Sequence, residues 1–200
     1  MNAGSAIKQP WLVLIDLQRV FAEADSPWCT PMFDSAAAGC QRLKVGFGDR
    51  VALSRFLVPE QPEGSWIPYY QRWPFALEPE SVELFDLTAD FSPAESNDPA
   101  EPGNAVLLDR TTFNKWDAAA AEALGQPEQI VLAGVSTDCC VLSTALAAAD
   151  AGVLVQVVAD ACGGVSEEDH QRALELLSLY SPQIEVTTVD AVLESLAGSL

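Results

Sequence analysis

Gln129-Ile130-Val131-Leu132-Ala133-Gly134-Val135-Ser136-Thr137-Asp138-Cys139-Cys140 runs straight into Val141-Leu142-Ser143-Thr144-Ala145-Leu146 and a row of alanines. The opening residues form a short apolar strand pattern. A glycine interrupts it, a polar turn follows, and the Ala-rich stretch beyond has the composition of a helix. The turn therefore lies at the C-terminal end of a strand and the N-terminal end of a helix. Open α/β sheets hold their ligands at such places. Thr137 is the expected N-cap, which puts Cys139 and Cys140 in the first helical turn. There the positive end of the helix dipole and unpaired N–H groups favour a thiolate. The competing reading is two small buried residues that pack a helix against a sheet.

Outward from this stretch the same rhythm repeats. Apolar runs at Trp11–Ile15, 51–53, 105–108, 130–133 and 154–159, and a weaker one at 184–186, read as strands buried on both faces. Helical patterns alternate with them at 34–44, 118–124, 138–151, 167–178 and 190–197. Gly152 marks a helix end. Ser166-Glu167-Glu168-Asp169 is a variant of the capping box. Strands alternating with helices predict an α/β fold, a three-layer doubly wound sandwich around a mostly parallel six-stranded sheet. One domain over residues 1–200 is expected. Residues 61–104 break the rhythm with Pro, Trp, Tyr and acidic residues. They are expected to form a long acidic and aromatic loop with one short helix near 81–87. Trp66, Tyr69, Tyr70 and Trp73 suit a pocket wall, an oligomer contact, or packing over a sheet edge.

Composition excludes several functions. Ten basic residues stand against 29 acidic ones, a net charge of −19. No nucleic acid partner and no anionic membrane partner is expected, because little is present to neutralise phosphates. With 49% hydrophobic residues the 200-residue chain should fold as a globule. Its five cysteines are Cys29, Cys40, Cys139, Cys140 and Cys162. Their odd number and the lack of a CxxC spacing suggest neither a disulfide framework nor a zinc site. A reducing, cytoplasmic setting is expected. The run Trp11–Ile15 is too short for a signal peptide core or a membrane span.

Three polar signals fall at the C-terminal ends of separate runs. Asp16 follows Leu14-Ile15, Asp109-Arg110 follows Val106-Leu107-Leu108, and Cys140 lies one turn beyond Gly134. In a parallel sheet these ends share one edge, so the groups can meet across a crevice. A carboxylate can take a thiol proton and later activate water. A cation can hold the carboxylate and stabilise developing negative charge. Taken singly, Asp16 reads as a turn residue and Arg110 as half of a surface ion pair. Taken together, Asp16, Arg110 and Cys140 read as a catalytic set.

The chain resembles the isochorismatase-like cysteine hydrolases, which include nicotinamidases, N-carbamoylsarcosine amidases and isochorismatases. Leu12-Val13-Leu14-Ile15-Asp16-Leu17-Gln18-Arg19-Val20-Phe21 resembles the family's opening strand with its catalytic Asp. Gly134-Val135-Ser136-Thr137-Asp138-Cys139-Cys140-Val141 resembles the pattern G-x-x-T-x-x-C-V, which selects Cys140 over Cys139 as nucleophile. Asp160-Ala161-Cys162-Gly163-Gly164 with His170 resembles a later family segment. The resemblance implies that Cys140 attacks an amide carbonyl, Asp16 shuttles the proton and water resolves a thioester. It also implies a cis peptide between Val135 and Ser136, which turns the N–H groups of Ser136 and Cys140 toward an oxyanion. A small-molecule substrate and a homo-oligomer are implied as well.

Two departures from the family pattern shape the expectation. The segment Arg110-Thr111-Thr112-Phe113-Asn114-Lys115-Trp116 carries Arg110 where the family has its catalytic Lys. Arginine keeps the charge but donates no proton near neutral pH. Lys115 is the alternative that could reach in instead, although its alignment favours an outward or different position. The metal-binding Asp-x-His of nicotinamidase-type relatives is replaced by Ser54-Arg55-Phe56-Leu57-Val58-Pro59. No cofactor and no metal is therefore expected. His170, the single histidine, reads as a helix-start or packing residue. Arg55, Arg72 and Arg110 are candidates for a substrate carboxylate, or are surface charges. The reading is a metal-independent cysteine hydrolase that cleaves a C–N bond of a small amide or ureide. The alternatives are a binding or scaffold member with weak or no catalysis, and a vinyl-ether hydrolase of the isochorismatase type.

Overall fold

A computed structural model describes residues 9–92 and 105–198 of the chain. The strands are β1 (Trp11–Ile15), β2 (Val51–Phe56), β3 (Val106–Arg110), β4 (Gln129–Val135), β5 (Leu154–Gly163) and β6 (Ile184–Thr187). They form one sheet in the order β3-β2-β1-β4-β5-β6, and every neighbouring pair is parallel. The helices are α1 (Arg19–Ala22), α2 (Phe33–Phe47), α3 (Trp66–Arg72), α4 (Ala118–Ala123), α5 (Leu142–Asp150), α6 (Glu167–Ser178) and α7 (Val189–Ala197). α2 packs with α7 over one face and α5 packs with α6 over the other. This is the three-layer α/β sandwich that the sequence rhythm predicts.

The centre of the sheet explains why the apolar runs are unbroken. Leu12, Val13, Leu14 and Ile15 of β1 and Ile130, Val131, Leu132 and Ala133 of β4 expose no surface at all. A strand covered by helices on both faces cannot alternate apolar with polar residues. β2 and β3 extend beyond their apolar runs because the polar residues at their ends find partners. Ser54 bonds to Asp16, and Arg55 holds Asp109 of the adjacent strand through two hydrogen bonds of 2.7 and 2.6 Å.

The helix ends largely follow their sequence signals. Gly152 adopts φ +86° just beyond α5, a conformation that favours glycine. Ser166 caps α6 by accepting from the Asp169 N–H, at 3.1 Å. Its own hydroxyl donates to the Asp169 carboxylate at 2.7 Å, so the reciprocal bond of a capping box is replaced by a side-chain pair.

The expected loop at 61–104 is the main difference. Its described part contains α3 and two 3₁₀ helices, Pro74–Leu77 and Pro79–Phe85. Proline-rich composition reads as loop, yet Pro68, Pro74 and Pro79 all fall in the first turn of a helix. There a missing N–H has no helical partner to lose. Residues 93–104 of that expected loop, including the end of its acidic run, lie outside the described residues. Among the described residues no helix is long and apolar enough to cross a membrane.

Candidate active site

The strand order reverses direction between β1 and β4, and a doubly wound sheet opens a crevice at that point. Asp16 follows β1 and Cys140 follows β4 by one turn. Gly134 brings the two strand ends together. It pairs with Ile15 in the ladder and has φ +120°. A Cβ at this position would sit 2.2 Å from the Ile15 carbonyl oxygen, so glycine is required. The Val135–Ser136 peptide beyond it is cis.

The cysteines occupy a wide helical turn, Thr137–Val141, that leads into α5. The N–H groups of Cys139 and Val141 both donate to the Ser136 carbonyl at 3.1 Å. Thr137 does not act as the expected N-cap. Its hydroxyl is buried against His170 Nδ1 at 2.8 Å, which ties the turn to α6. Asp138 instead accepts from the Val165 N–H at 2.9 Å. A nearby imidazole competes for the Thr137 hydroxyl, and the wide turn satisfies the helix start through backbone bonds. His170 is thereby a packing residue, as its position suggests.

Asp16 is completely buried and adopts φ +49°. Ser54 Oγ donates to its Oδ1 at 2.6 Å and accepts from its backbone N–H at 3.1 Å. Lys115 Nζ lies 3.0 Å from Oδ2, and both side chains expose no surface. The approach is an ion pair outside hydrogen-bond geometry, so Oδ2 accepts no hydrogen bond. Lys115 is held from several sides. Its ammonium donates to the Thr112 carbonyl at 2.8 Å and sits 4.8 Å from the centre of the Phe56 ring. Its backbone N–H donates to Thr144 Oγ1 at 3.0 Å, and that hydroxyl donates to the Cys140 carbonyl at 2.7 Å. One threonine thus joins the lysine loop to the cysteine turn.

This geometry corrects the reading of Arg110. The cation against Asp16 is Lys115. Arg110 holds Asp117 with bonds of 2.9 and 2.7 Å and donates to its neighbour's carbonyl, Asp109 O, at 2.7 Å. β3 ends at Arg110, and the chain then folds back so that Lys115 returns beneath the strand ends. A motif position cannot describe such a return. One local signal was available: Lys115 has no acidic residue three or four positions away on either side. A cation without a local partner in an acidic chain has its partner elsewhere. Neither Arg55 nor Arg72 lines the cavity of the crevice. Arg55 holds Asp109, and Arg72 lies 5.4 Å from the centre of the Trp73 ring.

The expectation of a thiolate at Cys140 is also corrected. Its hydrogen bond to Cys139, its burial and the neighbouring Asp16 carboxylate hold the Cys140 thiol well above the ordinary range, against the pull of Lys115. The bond from Cys140 draws Cys139 below that range, opposed by burial and Asp138. Cys140 is 4% exposed. The bond to Cys139 and desolvation together outweigh the helix end here. The buried thiol keeps its proton until a base removes it.

A cavity of about 190 Å³ opens above Cys140. Phe21, Trp28, Phe56, Tyr69, Trp73 and Phe113 supply its aromatic wall, and Ser136, Asp138, Cys139 and Cys140 its polar side. Trp28 is the hub, with ring centres of Phe75, Phe56, Phe85 and Tyr69 at 5.2 to 5.9 Å. Of the aromatic residues singled out in the sequence, Tyr69 and Trp73 line the cavity. Trp66 packs behind them against Phe113 at 4.9 Å, and Tyr70 is buried. Gln18 anchors this wall. Its side chain accepts from the Phe56 N–H at 2.7 Å and donates to the carbonyls of Phe56 and Phe85. Among the described residues no group of three or more His, Cys, Asp or Glu side chains is placed to hold a metal ion. The donor set does not fit one, because the β2 end presents Phe56 and His170 is engaged with Thr137.

A family model described as the isochorismatase domain matches residues 10–191. The chain belongs to this family. Its fold is that of the isochorismatase-like hydrolases, as solved structures show. A cysteine hydrolase from Pseudomonas syringae pv. phaseolicola 1448A superposes with a TM-score of 0.79 at 16% identity, covering 96% of this chain and 93% of that one. The nicotinamidase PncA from Bacillus subtilis superposes with a TM-score of 0.68 at 21% identity, covering 89% and 98%. In sequence, isochorismatase domain-containing protein 2 of Xenopus laevis is 42% identical over 69 residues, 34% of this chain. The match spans about a third of that protein's length, 33%.

Proposed function

We propose that this isochorismatase-like hydrolase is a metal-independent cysteine amidohydrolase that cleaves a C–N bond of a small amide or ureide through a thioester at Cys140. The observation that carries the reading is the buried Lys115–Asp16 pair, whose Oδ2 accepts no hydrogen bond and whose field acts on Cys140. Asp16 Oδ2 takes the Cys140 proton as Sγ attacks the carbonyl carbon. The oxyanion is held by the N–H groups of Ser136 and Cys140. The C–N bond then breaks and the leaving nitrogen takes the proton from Asp16. Water attacks the thioester, Asp16 accepts the water's proton and returns it to Sγ, and the acid departs. Lys115 balances the charge of the carboxylate in a dry site. Ser54 fixes Oδ1, which leaves Oδ2 for the proton.

Lys115 answers the main reason to regard the site as lapsed. The apolar wall does not favour the dianionic substrate of a vinyl-ether hydrolase. The test is ammonia release from a panel of primary amides and ureides by the wild type, Cys140→Ala and Asp16→Asn. Turnover by the wild type, lost in both variants, is expected. Equal turnover in all three, or none on any member of the panel, overturns the proposal.

A further inference from the structure

The charge of the cavity restricts what it can hold. Its wall combines six aromatic residues with one carboxylate, Asp138, and no basic side chain lines it. Arg55 is paired with Asp109 and Arg110 with Asp117, while Arg72 is exposed and rests on the Trp73 ring, outside the lining. Lys115 lies beneath the Phe56 ring with Asp16 as its partner. A carboxylate ligand would therefore lose its hydration to aromatic rings and face Asp138, with no cation among the lining residues in return. A cation loses less. Aromatic faces carry negative potential, and a ring of them beside a carboxylate is a recurring cradle for ammonium groups. The same rings already meet cations from outside the cavity, Lys115 on Phe56 and Arg72 on Trp73. A net charge of −19 draws cations toward the mouth.

We propose that the cavity selects a small amide whose non-reacting end carries an ammonium group, held between the Trp28–Tyr69–Trp73 wall and Asp138, and rejects carboxylates. The placement of the reacting carbonyl rests on the cysteine amidohydrolase reading. The charge preference does not, because it depends on the walls alone. The ammonium end sits against the rings while the carbonyl reaches down to Cys140, and Asp138, next to the cysteine pair in sequence, fixes the distance between the two.

The test is binding read by tryptophan fluorescence in the full chain carrying Cys140→Ala, which cannot turn over. Three probes of nearly one shape are compared: choline, its uncharged isostere 3,3-dimethylbutan-1-ol, and the anion 3,3-dimethylbutanoate. Choline should bind about tenfold more tightly than the alcohol, and the anion should show no saturation. Asp138→Asn should reduce the gap between choline and the alcohol, and Trp28→Leu should reduce it further. Alcohol binding as tight as choline, saturable binding of the anion, or no saturable binding of choline overturns the proposal. Should Trp28→Leu fail to fold, the isostere comparison on the Cys140→Ala chain decides alone. No amidase turnover by the wild-type chain, with a retained choline preference, would overturn only the hydrolytic mechanism. Turnover of uncharged amides without that preference would overturn only the charge selection.

Discussion

Two ion pairs stand close together in sequence and behave as opposites. Arg110 and Asp117 meet at the surface, with side chains 23% and 48% exposed. Lys115 and Asp16 meet where neither exposes any surface. The surface pair has the better geometry, with two bonds between its partners. The buried pair has the greater consequence. In water, the attraction between charges nearly cancels against solvation and side-chain freedom. In a dry interior, a charge without its partner has nothing to replace the lost solvation. Hydrogen-bond count is therefore a poor guide to which pair the fold depends on, and burial is a good one.

Breaking the buried pair from one side should have the largest effect. Lys115→Met leaves the Asp16 carboxylate uncompensated and should lower unfolding stability by about 3–5 kcal/mol in urea titrations near neutral pH. A loss below about 1 kcal/mol would put Lys115 in the same class as Arg110 and dissolve the comparison. Ser54→Ala tests the other oxygen of the same carboxylate. It removes a bond to a charged acceptor and should cost about 1.5–3 kcal/mol, with Ser54→Thr restoring most of it. On the surface side, Asp117→Ala should cost about 1 kcal/mol, because Asp117 also caps α4 by accepting from the Ala120 N–H at 2.8 Å. Arg110→Gln keeps that cap and should change stability by less than about 1 kcal/mol, with melting temperature as the check. The thiols sharpen the contrast through pH. Burial raises Cys40 well above its ordinary value and Cys162 to about 12. A raised folded-state value means that the stability these groups contribute is complete below the ordinary thiol value of 9.0 and falls as pH rises beyond it. Stability should therefore be unaffected by these thiols at neutral pH and decline above about pH 9. A flat profile between pH 9 and 11 would show that they are solvated.

The sequence was most legible where local pattern and tertiary role coincide. All six strands and five of the helices follow from apolar periodicity and turn residues, and Asp16 and Cys140 follow from their places at strand ends. These features depend on a few neighbouring residues and on the rule that parallel strand ends share an edge. Lys115 was not legible in that way. Its position depends on a return of the chain after β3 and on partners as distant as Thr144 and Asp16. The upward shift of the Cys140 thiol was not legible, because a helix end is visible in sequence, whereas the hydrogen bond to Cys139, the burial and the nearby Asp16 carboxylate that oppose it are set by the fold. The aromatic wall was half legible. The residues stood out, but the proline-rich stretch that carries them concealed its helices, and the convergence of Trp28 with Tyr69 and Trp73 is purely tertiary.

Gln18 has a consequence for how the aromatic wall can vary. Its amide meets both the N–H and the carbonyl of Phe56 as an adjacent strand would, and the same group also reaches the Phe85 carbonyl. A single side chain thereby extends the sheet by one step and hangs the binding wall from main-chain atoms alone. The hook grips no side chain, so the path of the main chain around Phe56 and Phe85 is set apart from most of the side chains mounted on it. Phe56 is the one joint between the two levels, because its ring rests on Lys115 and a change there reaches the buried Asp16 pair as well.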